Sequence, residues 1–450
     1  MKPLFQTRIA ATLTLAFALI IALPALAQSA ADMAALESRL MARLEQRMAE
    51  EGEASRADQE AQRLAFEQAI RATARSSNAL DRRALVAIDA GRTGQGIGVL
   101  EERARARDAA ATADAASRRE RADEWKRIGA LAFLDSTDRA VAAYEAALQF
   151  APDDPEILDQ LAYLYQRQAR NTDRTRIAQR LADHSEAEWR AKGLIHLGDV
   201  QMEMNENTGA RRYFEQAIEV ASQGGATRQR VRAMNRLAAT QIRNNRQFET
   251  TIEQALTMAR AEGFRYEEAE ALYMRGTALF ARGRGSFTGR TRSFEQAEVY
   301  FAQVYAIAVE VGDEIGAAQV QVRRGHVARV MENYPLAERM LREGIATFER
   351  RGVVQRLGFA RHQLAAVLAE QGRLDEARPL FRSSVDAARA TNLPLYEGAA
   401  LMDWAKAEYE AGARDEACRL IRQSNAAFGR AEGAGAFRLQ TGIMSSTYCG

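Results

Sequence analysis

The chain has 450 residues, 47% hydrophobic and 27% charged, with 7 prolines, and that apolar share excludes a disordered polymer. Its 62 basic and 60 acidic residues nearly cancel, which argues against nucleic-acid binding. Two cysteines and four histidines exclude cysteine-rich scaffolds, zinc fingers and multi-histidine metal centres.

The first element in chain order is an export signal. Lys2 and Arg8 precede an apolar run from Ile9 to Leu23, and Pro24 breaks the helix ahead of Ala25-Leu26-Ala27, an A-x-A cleavage pattern. Residues 1–27 are therefore expected to be removed after Ala27, leaving a mature chain with 60 residues of each sign (62 basic residues less Lys2 and Arg8). The alternative is an uncleaved anchor, because Ile9–Ala27 approaches the ~20 residues of a membrane span. Either way the bulk is exported, so a periplasmic or secreted protein is expected, not membrane-spanning once cleaved.

Residues 28–77 predict a separate helical segment, with Met33, Leu36, Leu40, Leu44 and Met48 at spacings of three and four. The stripe ends before Gly52, short of the ~3–4 heptads of a sustained coiled coil. It is expected either to seam a homo-oligomer or to dock on the rest of the chain. Next comes GRTGQGIG (91–98), which lacks a Gly-Lys-Ser/Thr ending and follows no strand. It reads as the turn of a degenerate first helix pair.

From about residue 120 an internal repeat dominates. Six segments read Ala-x3-bulky-x2-small: Ala140/Tyr144/Ala147, Ala210/Phe214/Ala217, Ala297/Phe301/Val304, Ala337/Leu341/Gly344, Ala377/Phe381/Ser384 and Ala417/Ile421/Ser424. Offsets of four and seven share one helical face. A second small residue lies 12 upstream in Gly198→Ala210, Gly325→Ala337, Ala365→Ala377 and Ala405→Ala417, and 11 upstream in Gly129→Ala140. Two helices joined by a short turn would set these small residues against each other at a crossing. Gly276→Ala297 spans 21 instead, so a loop insertion is expected within 282–293. Residues 431–450 lose the helical pattern and are expected to cap the array as an irregular tail.

The pattern resembles the tetratricopeptide (TPR) family, whose repeat carries W-x2-L-G-x2-Y on its first helix and A-x3-F on its second. LIHLGDVQ (194–201) with ARRYFEQAI (210–218), and WKRIGALAF (125–133) with AVAAYEAALQFAPDDP (140–155), carry the likeness most clearly. The last four copies recur every 40 residues, as in the long-repeat, MalT-like variant of the family, and the likeness extends over 78–430. It implies an all-α, right-handed solenoid preceded by a short helical or coiled-coil segment. Copies near 155–187 and 232–262 are degenerate.

By this resemblance, certain first-helix positions of each repeat face a concave groove that binds a protein or peptide. Counting from Leu197-Gly198, the frame assigns Tyr273, His362 and Met402 to position five, His326 and Lys406 to nine, and Arg329 and Tyr409 to twelve. In the fourth copy Arg232, Asn235 and Arg243 fall at two, five and thirteen. Such side chains suit the backbone and carboxylates of a peptide. Arg282, Arg284, Arg290 and Arg292 around the insertion form a candidate basic arm, although arginines outnumber lysines 58 to four along the chain.

No motif of catalysis is present: His184, His196, His326 and His362 lie in no H-E-x-x-H pattern, and no G-x-S-x-G elbow occurs. The reading is an exported interaction scaffold without catalytic residues, metal or cofactor, whose partner is another protein or peptide segment and not nucleic acid. The alternatives are an enzyme or accessory subunit acting on cell-envelope polymers, and a structural oligomer formed through 28–77. Cys418 and Cys449 form a candidate disulfide, because an oxidising compartment permits one and the end of a solenoid needs a cap.

Overall fold

The computed structural model describes residues 30–50, 56–110, 114–204, 206–243, 248–285, 289–431 and 434–450; the expected signal, 1–27, lies outside them. Among the described residues the regular structure is entirely helical. Two helices, α1 (Ala30–Glu50) and α2 (Arg56–Ala74), precede the pairs α3 (Ala79–Asp89)/α4 (Thr93–Ala110), α5 (Ala115–Ala132)/α6 (Thr137–Phe150) and α7 (Pro155–Arg167)/α8 (Asn171–Ala182). The stack continues through α9 (Ala187–Glu203)/α10 (Asn207–Gln223), α11 (Thr227–Arg243)/α12 (Glu249–Glu262) and α13 (Arg265–Gly285)/α14 (Arg290–Glu310). It ends with α15 (Glu314–Val330)/α16 (Tyr334–Arg350), α17 (Val354–Glu370)/α18 (Leu374–Ala390), α19 (Pro394–Glu410)/α20 (Arg414–Arg430) and a last helix, α21 (Gly435–Cys449). From α3 onward each helix packs chiefly on its neighbours in sequence, the signature of a solenoid.

The 40-residue period has a local cause. Helices α15 to α20 are each 17 residues long and start 20 residues apart. The turn before α15 and every three-residue turn up to α20 hold one residue in the left-handed region, with φ between 52 and 84: Gly312, Gly352 and Asn392 between repeats, Glu332, Gly372 and Gly412 within them. The first helices of successive pairs also touch, α7 with α9, α9 with α11, α11 with α13, α15 with α17 and α17 with α19. They form the inner, concave wall.

Within a pair, the small residue of the first helix meets the bulky residue of the second rather than the alanine four residues before it. A Cβ built on Gly198 would lie 2.4 Å from the Phe214 ring, and on Gly129 2.7 Å from the ring of Tyr144. The crossing is therefore a ring laid on bare backbone, which explains glycine opposite an aromatic residue. The expected loop at 282–293 is instead mostly helical. Helices α13 and α14 are both extended to 21 residues, and the glycine–ring contact repeats one heptad outward, from Gly276 and Phe301 to Gly283 and Phe294. The extra residues are accommodated because the same contact continues along both lengthened helices.

Of the two expectations for 28–77, the described residues show the docked arrangement. Leu36, Leu40, Leu44 and Met48 are buried in one apolar cluster with Phe66, Ile70, Ile88, Trp125 and Ile128 of the same chain. The stripe has found its partner within the molecule.

At the other end the tail is a helix, not an irregular cap. Its pattern was faint because it buries only one side, leaving Leu439 and Ile443 exposed. Phe437 stacks on Phe428 at 5.1 Å, Tyr448 stacks on Tyr409 at 4.2 Å, and Cys449 is disulfide-bonded to Cys418 across a separation of 31 residues. A loop of that length stabilises by roughly 3–4 kcal/mol in the chain-entropy model. Reduction, or Cys449→Ser, is expected to lower the urea midpoint of the last repeat by a corresponding amount. Coincident unfolding curves with and without reductant would contradict it.

Candidate functional site

The inner wall is a ladder of charges that pair from repeat to repeat. Asp159 of α7 accepts hydrogen bonds from Lys192 Nζ at 2.9 Å and from His196 Nε2 at 3.0 Å, both on α9. Burial pushes the Asp159 carboxyl up, but the Lys192 ammonium and the His196 hydrogen bond outweigh it and hold the group well below the usual carboxylate range. Arg174, wholly enclosed on α8, reaches Glu203 at 2.8 Å and Asp199 at 3.4 Å. Asp199 also pairs with Arg236 of α11 at 3.1 Å, and Arg236 in turn with Glu270 of α13 at 2.7 Å. A second cluster closes the C-terminal half. There Asp403 meets Arg329 at 3.4 Å and His362 at 3.0 Å, and despite burial the Arg329 charge keeps its carboxyl well below the ordinary range.

Most of the residues assigned to the groove from sequence sit on this wall but are already bonded within the chain. Arg232 Nε donates to Glu267 at 2.8 Å, and Asn235, fully buried, donates to the Glu267 carbonyl at 3.0 Å. Alanine at these two positions is therefore a change of fold stability, not a clean test of binding. The side chain of Arg243 lies outside the described residues. Arg329 also donates to Glu370, and the Tyr273 hydroxyl accepts from Arg323 at 3.2 Å. Met402 is half-buried against the last repeats, and Tyr409 lies under Tyr448 of the cap. Lys406, half-exposed, pairs with Glu410 of its own helix at 3.7 Å. The four arginines of the candidate arm lie on the ends of α13 and α14. Arg282 pairs with Glu249 at 3.0 Å, Arg290 lies over the Phe294 ring, and Arg284 and Arg292 are exposed.

His326 is partly buried rather than presented to solvent. Its ring packs between Phe280 at 4.9 Å and Phe359 at 6.0 Å, and its Nδ1 is buried without a partner. Phe359 continues to Tyr396 at 6.2 Å, so one aromatic line crosses the first helices α13, α15, α17 and α19. Burial first, then the charges of Arg329, Arg323 and Arg284, push the His326 imidazole well below its ordinary value of 6.5. The folded state thus resists a proton that the unfolded state takes up, so stability falls as pH drops below about 6.5, by up to ~1.4 kcal/mol per pH unit until the folded group titrates. His326→Phe is expected to flatten the fall in melting temperature between about pH 7 and 5.5. The same slope in both proteins would contradict this.

Sequence alone missed what occupies the groove. Helix α2 runs along it, packed on α3, α5, α7 and α13. Glu60 accepts from Arg228 at 2.7 Å and pairs with Arg232 at 3.4 Å, while Arg63 donates to the Tyr266 hydroxyl at 2.8 Å. Next to α2 lies a cavity of ≈ 620 Å³, walled on one side by Ala61, Leu64 and Ala65 of α2 and on the other by Lys126, Gln160 and Trp189 of the array. Among the described residues no helix is long and apolar enough to cross a membrane, and no group of three or more His, Cys, Asp or Glu side chains is set to hold a metal ion.

One family model, the tetratricopeptide repeat, matches residues 191–223, the pair α9/α10. No curated protein matches the sequence. Among solved structures, a Signal Transduction ATPase with Numerous Domains protein with a tetratricopeptide repeat sensor, from Pyrococcus horikoshii, superposes with a TM-score of 0.53 at 13% identity. The match covers 78% of this chain and 55% of that one, so the chain spans about half of its length. Aspartyl phosphate phosphatase F from Bacillus subtilis gives 0.49 at 14% identity, over 80% of this chain and 96% of that one. A Rap protein complexed with competence and sporulation factor gives 0.46 at 13% identity, over 74% and 100%. The first of these is a likeness of fold.

Proposed function

We propose that this chain, a protein of the tetratricopeptide repeat superfamily, is an exported, non-catalytic scaffold that binds a segment of another protein along its concave face. The observation that supports this most is the inner wall itself. Successive first helices hold their charged side chains through cross-repeat pairs such as Asp159 with Lys192 and Asp403 with Arg329, so the surface is rigid before a partner arrives. A preformed groove spares the ordering cost that a flexible binder meets on association. The signal-like pattern of residues 1–27 supports a working compartment in the periplasm or outside the cell.

The test is affinity capture with the purified mature chain on periplasmic extract, with isolated envelope polymers as a parallel arm. One discrete protein retained through washing is the expected result. Turnover of a polymer, or retention of nothing but the chain itself, would replace the scaffold reading with the enzymatic or the structural one.

A further inference from the structure

Helix α2 occupies the groove unevenly. Thr73, Ile70, Ala69 and Phe66 make an apolar, buried anchor at its C-terminal end, but the first half turns Gln62 and Gln59 inward. Both amide atoms of Gln62 are buried without a partner. An unpaired amide in a dry contact costs far more than the aliphatic side chain that normally fills such a position. Charge holds this half in place, through Glu60 on Arg228 and Arg232 and through Arg63 on Tyr266 and Glu45. Leu64 of α2 is 55% exposed in the wall of the ≈ 620 Å³ cavity, and across it Gln160, 7% exposed, carries an unpartnered Oε1. The resident helix thus leaves space and polar groups unused in this part of the groove.

We propose that the first half of α2 is a displaceable occupant of the groove, and that the partner is an amphipathic helix that replaces it. That helix carries a carboxylate in the place of Glu60, to meet Arg228 and Arg232, and an apolar residue in the place of Gln62. The anchor at Phe66 and Ile70 stays seated, so α2 swings about its own C-terminal end without leaving the molecule. This rests on the groove reading above and adds regulation to it. While α2 is docked, only the open fraction of the protein binds, and the apparent affinity is reduced by that fraction.

The test uses the full mature chain. Glu60→Arg sets a third positive charge against Arg228 and Arg232, and is expected to raise amide exchange in the first half of α2 at least about tenfold while α15–α20 are unchanged. Raising salt to about 0.5 M should act in the same direction on the unmodified chain. A synthetic peptide of residues 56–65, the half that leaves the groove, should bind the Glu60→Arg chain at least about tenfold better than the parent, and its Gln62→Leu form about tenfold better again. Combining Glu60→Arg with Arg228→Glu should restore protection. Unchanged exchange in the folded variant, equal peptide binding by both chains, or a dimer formed by swapping α2 between two copies would each overturn the proposal. If the opened chain binds the peptide but no periplasmic protein is captured, the gate stands and the scaffold reading falls; a captured partner with unchanged exchange removes the gate alone.

Discussion

Replacing Gly198 with leucine is expected to lower stability by about 3 kcal/mol or more, from the cost of overpacking a close helix crossing. A bare Cβ at this position would already lie 2.4 Å from Phe214 Cε1 and 2.8 Å from two further ring carbons. The ring has nowhere to retreat, because Phe214 has no exposed surface and shares its cluster with the buried Ala210, Ala217, Ala233 and Leu237. Against this stands the helix propensity gained on removing a mid-helix glycine, about 1 kcal/mol. The clash wins by a wide margin, since interiors packed at crystal density do not yield by an ångström. Gly442 is the control: a Cβ there meets nothing within 4 Å, so Gly442→Ala should be neutral or mildly stabilising. Urea unfolding followed by circular dichroism checks both. If Gly198→Leu unfolds with the parent, the repeat frame is misplaced.

Asp159→Ala is expected to cost about 3 kcal/mol at neutral pH, the scale of a buried ion pair broken on one side. The change leaves the Lys192 ammonium and the His196 ring, each 13% exposed, without their shared acid; only the cation–π contact of Lys192 on Trp189, at 4.1 Å, remains for the charge. Asp159→Asn separates charge from shape, and its penalty carries a pH signature. The folded carboxyl is depressed, so its contribution is full above the unfolded value of about 3.9 and is lost as pH falls through the folded one. The gap between parent and Asp159→Asn should therefore be constant from about pH 7 to 5 and close below about pH 4. A gap independent of pH would mean that Asp159 acts through packing alone.

The array was legible in the sequence because its defining contacts are local. Gly198 and Phe214 lie within one hairpin, and their spacing recurs often enough to be read without a structure. The groove's contents were not legible, since they are set by partners far away in the chain. Arg232 is committed to Glu267 35 residues on, and Arg228 to Glu60 168 residues back. The same holds for His326, whose position on the inner face was read from the repeat frame but whose partial burial depends on Phe280 and Phe359 from the flanking repeats. The apolar stripe of α1 was visible, yet a stripe alone does not say whether it meets another copy or its own chain. Lys192 stands at position two of the clearest repeat, the position Arg232 holds in the fourth; its commitment was not legible, because its acid, Asp159, belongs to a degenerate copy.

Site-specific photo-crosslinking in cells tests the central claim most directly. A photoreactive residue is placed at Trp189, in the cavity wall beside α2, or at Lys406 further along the inner wall, and at Arg342 on a second helix, 52% exposed, on the outside of the solenoid. A scaffold that uses its concave face gives one discrete heavier adduct from the inner positions, containing a second protein, and none from Arg342. Equal adducts from both faces, or none from the inner wall, would contradict it.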